Sequence, residues 1–278
     1  MESGFRWLRQ HRAVNLALVV GYSLFLLFAH DLFVSISVKV MNAVSIPLYQ
    51  RLVGSILIVS VLAFVVLIAM SVRKYVSDKR AAGYFTAGLL LLVVHFFVLT
   101  EMNVEFIHAL MYGGLAMLIF PLIGRSGGSV ILCLPIMLVD EWYQHIILFP
   151  HYTDFYEFND IVLDLLGAGF FVSLLGMFVP ASFRQLLPFH RRVEVWLLFI
   201  LTVSASVLVL TCVIVPYQKD ACEHTWLVLN KLPESTAFWY THPVIGSTFH
   251  ILKPLHGLGL VFLMCLAYLG MDPTRSVK

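Results

Sequence analysis

Eight stretches of this chain are apolar enough over about 20 residues to cross a bilayer, and nothing else about the sequence restricts its fold so strongly. They run approximately over residues 13 to 30, 52 to 72, 83 to 100, 106 to 123, 129 to 148, 160 to 181, 194 to 216 and 249 to 270. In hydrocarbon a chain must satisfy its backbone N–H and C=O groups internally, which for separate runs of this length means helices. The expected fold is therefore all-α: a polytopic transmembrane helical bundle of about eight spans. Composition agrees, since 60% of the 278 residues are hydrophobic, 12% are charged and mean hydropathy is +0.90, outside the range of soluble domains. A net charge of +2 without a basic run gives no footprint for nucleic acid.

Lys and Arg set the expected orientation. Arg6, Arg9 and Arg12, then Arg73, Lys74, Lys79 and Arg80, then Arg125, then Arg184, Arg191 and Arg192, then Arg275 and Lys278 alternate with sparsely basic loops. By the positive-inside rule both termini are expected in the cytoplasm. The first apolar run follows basic residues but has no small-x-small cleavage site after it, so it is expected to stay as a span. Residues 1–278 read as a single integral membrane domain with an extracytoplasmic loop at 217–248, whose Trp226, Trp239 and Tyr240 suit an interfacial belt or cap. Residues 31 to 51, with Pro47, suit a short interfacial helix or re-entrant segment. The four cysteines show neither a disulfide framework nor zinc spacing.

Polar residues then interrupt this pattern in a patterned way. Glu101, Glu105, His108 and Tyr112 follow at helical spacing, as do Asp160, Asp164 and Gly167. Asp140 with Gln144 and Glu141 with His145 form adjacent i,i+4 pairs, and His250, Lys253 and His256 mark the start of the last span. A charge at the centre of a spanning helix costs about 2.5–3.5 kcal/mol on insertion scales, so these groups are expected to face one another or water. The orientation places all four stripes toward the extracytoplasmic side. Carboxylates and histidines on facing helices suit a divalent metal, with Glu105 and His108 as the candidate pair. His250, Lys253, His256 and His151 suit the phosphate of a lipid headgroup. The competing reading is a set of hydrogen bonds and ion pairs that only fixes helix packing. Lone His95 reads as a hydrogen-bonded packing residue.

Residues 84 to 185 resemble the VanZ-like family of small bacterial membrane proteins. One family motif is D-K-x-x-H-x-x-x-Y, where His108 and Tyr112 match and Val104 and Glu105 replace the Asp and Lys. The other is D-E-x-x-Q, a Pro-containing loop and D-x-x-x-N-x-x-G, where Asp140, Glu141, Gln144, Pro150, Asp160 and Gly167 match, His151 lies near the usual Arg, and Asp164 replaces Asn. The resemblance implies a bacterial cytoplasmic (inner) membrane protein linked to envelope homeostasis or glycopeptide resistance.

The expected function is binding of a cell-envelope lipid or glycan headgroup in a polar pocket of the outer leaflet. Its partners are membrane lipids or a lipid-linked envelope precursor. Asp140, Glu141, His108 and Asp160 are the catalytic candidates; Glu105, Tyr112, Gln144, His145, His151, Asp164, His250, Lys253 and His256 are the substrate-binding ones. The alternatives are a metal- or acid/base-dependent hydrolase or transferase acting on a lipid-linked substrate, and a non-catalytic subunit associated with other membrane subunits.

Overall fold

A computed structural model describes residues 2–59, 78–149, 154–179, 183–241 and 246–272. Helix α1 (Glu2–Gln10) turns through 103° into α2 (Arg12–Val44). The second half of α2 then turns through 118° into α3 (Ile46–Val59). The remaining helices are α4 (Lys79–Val98), α5 (Ile107–Ile123), α6 (Ser126–Tyr143), α7 (Phe158–Phe178), α8 (Val193–Leu210) and α9 (Pro254–Leu269).

Among the described residues, five segments are individually long and apolar enough to span a membrane, and counting each bent pair as one span gives up to seven. This is the expected helical bundle, though eight spans are not reached among the described residues. Most of the second window lies outside them, and α9, with 16 residues, is shorter than the roughly 20 of a straight crossing. The first window also does not stop at residue 30. Residues 31 to 44 contain neither Gly nor Pro, and α2 continues to Ser45, whose φ of 82° ends it just before Pro47.

Helix α7 occupies the centre, packed on α4, α5, α6 and α9. Gly167 lets it touch α5, because a Cβ there would fall 2.3 Å from both the Cα and the carbonyl oxygen of Ala109. Pro121 is accommodated near the end of α5, which closes at Gly124 with φ of 62° and its N–H on the Phe120 carbonyl.

Long-range polar contacts hold the end of the bundle where α6 begins. The Asp272 carboxylate accepts from the N–H groups of Ser126 (2.7 Å) and Gly128 (3.0 Å). This satisfies two of the donors that a helix start leaves open. Arg125 donates through Nε and Nη2 to the two carboxylate oxygens of Glu194, both at 2.7 Å. Buried Arg192 donates to the carbonyls of Leu269 and Asp272.

The opposite end is covered by the segment between α8 and α9. There β1 (Ile214–Val215) pairs in parallel with β2 (Leu227–Val228), and β3 (Trp239–Thr241) pairs antiparallel with β4 (Thr248–His250). Leu227 and Leu229 are buried in the main core, Tyr156 N–H donates to the Leu229 carbonyl, and Trp226 stacks on Trp142 at 5.6 Å. Both Trp226 and Trp239 belong to this cap and stay largely exposed.

Candidate functional site

Under this cap, the start of α5, the end of α6 and the start of α7 bring their polar residues together. His108 and Tyr112 lie one turn apart on α5, and Asp160 and Asp164 one turn apart on α7. Asp140 and Glu141 end the α-helical part of α6, and Gln144 opens a π-helical turn over Gln144–Leu148. Such turns recur at functional sites because they re-aim side chains at a helix end.

One imidazole stands between two carboxylates: His108 Nδ1 lies 3.2 Å from Asp164 Oδ1, and Nε2 lies 4.0 Å from Asp160 Oδ2. Tyr112 donates its hydroxyl to Asp140 Oδ2 at 2.9 Å, and the Gln144 amide donates to Glu141 Oε1 at 3.2 Å. None of His108, Asp140, Glu141, Asp160 and Asp164 is more than 4% exposed. Even so, Asp140 Oδ1, Asp160 Oδ1 and Asp164 Oδ2 meet no hydrogen-bond donor among the described residues. Buried carboxylate oxygens are rarely left so.

The charge balance points the same way. Four carboxylates face one imidazole, and the sequence has no Lys or Arg between Arg80 and Arg125 or between Arg125 and Arg184. Arg125 itself is engaged by Glu194 at the far end. Two further acids sit just outside the cluster. Burial, followed by the charge of Asp160, holds the Glu101 carboxyl up at about 7. Burial, then Asp160 and Glu101, pushes Glu157 well above the usual carboxylate range.

Several expected residues lie elsewhere. Glu105 does not pair with His108 as a metal site: Asn103–Phe106 form a 3₁₀ turn, so the α-helical spacing fails, and the Glu105 carboxylate accepts from the N–H groups of Glu101 (3.0 Å) and Met102 (2.7 Å). His145 reaches the cap, where its Nε2–H donates to the Val228 carbonyl at 3.1 Å. His250, Lys253 and His256 do not form a helical stripe, since α9 starts at Pro254. His250 lies in β4, stacked on Phe238 at 3.6 Å; Lys253 donates to the Glu234 carbonyl; His256 is exposed. His151 falls outside the described residues. His95 is the packing residue expected, buried with Nε2–H donating to the Asn159 carbonyl at 2.9 Å.

Two residues at the site carried no role in the sequence reading. His30 of α2 sets its ring edge-on to His108, with centroids 5.3 Å apart. A titratable residue closing the first apolar window was the available signal. Asn159 ties the site's surroundings together: its amide donates to the carbonyls of Leu99 (2.8 Å) and His250 (2.9 Å), and its Oδ1 accepts from Leu252 N–H. No signal in a single sequence distinguished it.

Chemically, an imidazole between carboxylates can pass a proton, and clustered oxygen and nitrogen donors can hold a cation. No family model, no curated protein and no solved structure matches the chain.

Proposed function

We propose that this chain is a multi-pass protein of a bacterial cytoplasmic membrane, of the VanZ-like type, that binds the headgroup of a cell-envelope lipid or lipid-linked glycan at the His108 cluster from the extracytoplasmic side. The sidedness is supported by the basic residues at the other end of the bundle: Arg125, Arg184, Arg191 and Arg192, and also Arg9 and Arg12, which donate to the carbonyls of Phe183 and Leu122.

One observation carries the reading, namely the three unpartnered oxygens of Asp140, Asp160 and Asp164. A buried polar group left unsatisfied costs about 1–3 kcal/mol, and a ligand rich in donors relieves that cost. Sugar hydroxyls or an ammonium group have this chemistry. A bare phosphate does not, so the headgroup part recognised here is its donor part, in place of the phosphate that His250, Lys253 and His256 suggested. The test is mass spectrometry of lipids that co-purify with the wild type and with the Asp140→Asn, Asp160→Asn variant. Loss of one lipid class in the variant is expected; an identical lipid profile, with envelope phenotypes unchanged, sinks the proposal.

A second reading is favoured by the placement of His108 between Asp160 and Asp164: an acid/base hydrolase or transferase acting on the same lipid-linked substrate. Turnover of a bound lipid that disappears in His108→Gln supports it, and binding without turnover removes it.

A further inference from the structure

We infer that His108, Glu141 and Asp164 hold a first-row divalent metal ion, zinc or manganese, at the junction of α5, α6 and α7. This rests on the reading of the cluster as a ligand site and adds what occupies its centre. One ligand atom from each of the three residues lies within 4.8 Å of the others, and all three residues are buried. Ligands bound at 2.0–2.2 Å to a tetrahedral ion stand roughly 3.3–3.6 Å apart, so small side-chain rotations close the site.

The acids alone would not establish such a site. A second, separate observation is that Asp164, 0% exposed, faces His108 with Oδ1 while its Oδ2 meets no donor. Buried carboxylate oxygens are seldom left without a donor or a cation. An ion bound there satisfies the free oxygen and offsets the excess of carboxylates over imidazole.

The donor set selects the metal. One imidazole nitrogen and two carboxylates favour zinc or manganese over calcium or magnesium, which prefer all-oxygen cages. Thiol chemistry is absent from the set, since the Cys133 Sγ is directed at the Ser129 carbonyl. The surrounding groups also fit. With Nδ1 as ligating nitrogen, Nε2 faces Asp160 Oδ2 at 4.0 Å, and a small rotation would complete the carboxylate–histidine–metal arrangement that fixes ring orientation. Gln144 holds Glu141 in the same way. Three protein ligands leave a coordination position open, which an oxygen of the headgroup would take while Asp140 and Asp160 receive its donors.

The test uses the full chain in nanodiscs, stripped with chelator, reloaded with zinc or manganese chloride, desalted and analysed for metal. One equivalent retained per chain, a raised melting temperature on reloading, and at least a tenfold loss of retention in Glu141→Gln and Asp164→Asn are expected, with exposed Lys219→Ala retaining metal as the wild type does. No retention above an empty-nanodisc control, or full retention in both ligand variants, overturns the inference. Should the ligand variants not fold, Asp160→Asn decides: an affinity about 10- to 100-fold weaker is expected of a group behind the ligating histidine, and unchanged affinity counts against the site. Lipid measured on the same samples separates the two claims. Metal without lipid overturns the headgroup reading alone, and lipid held equally after chelation in protein that retains no metal on reloading overturns the metal alone.

Discussion

Tyr112 on α5 donates a hydrogen bond from its hydroxyl to Oδ2 of Asp140 on α6 across 2.9 Å, while Oδ1 meets no donor among the described residues. The pair therefore joins two helices and sets the position of an acid at the site. Removing the hydroxyl with Tyr112→Phe strands a fully buried carboxylate, and about 1–3 kcal/mol of stability should be lost. Thermal unfolding in detergent measures it; an unchanged melting temperature would mean the contact does not form in the membrane protein.

His108 and Asp164 should be energetically coupled. His108→Ala leaves Asp164 buried without its partner, and breaking such a pair costs about 3–5 kcal/mol. Adding Asp164→Asn removes the orphaned charge, so the double variant should be more stable than His108→Ala alone. A double-mutant cycle on unfolding free energies reads this coupling, and strict additivity of the two changes would deny it.

Acid should stabilise the capped end of the bundle. Glu101 has a folded pKa of about 7 against an ordinary value of 4.5, because burial and then Asp160 disfavour its charge. A group raised in this way contributes stability that is complete below the unfolded value and is lost as pH rises through the folded one. Melting temperature should therefore fall between about pH 4.5 and 7, and Glu101→Gln should flatten the fall. A variant with the wild-type slope would assign the effect to other acids.

Gly167→Ala tests the close packing of α5 and α7. The added methyl would meet backbone atoms of Ala109 at 2.3 Å, which no side-chain rotation can relieve. Loss of at least about 1–3 kcal/mol, the usual cost of overpacking, should accompany disordering of the His108 cluster one turn away. Crosslinking between cysteines placed on the two helices would report the separation.

The course of α5 and α7 could be read from the sequence because a 3.6-residue period fixes which side chains share a face, so His108 with Tyr112 and Asp160 with Asp164 were placed together. Glu105 defeated the same rule, since a 3₁₀ turn has three residues per turn and the carboxylate folded back on its own backbone. The last helix offered a warning in Lys253-Pro254: proline favours the first helical turn and pushes the residue before it out of helical geometry, so His250 and Lys253 belonged to the cap from the start. His30 could not be paired with His108 without knowing how α2 lies against α5, which depends on packing between distant segments.

Asp272 caps a helix that begins 146 residues before it. During synthesis α6 therefore enters the membrane with two of its leading N–H groups still open, and they close only after α9 has followed. Final assembly of the bundle thus belongs to a late step of biogenesis, when the two ends of this half of the protein meet. Intermediates released before residue 272 would carry the site's side chains on helices that are not yet locked in place.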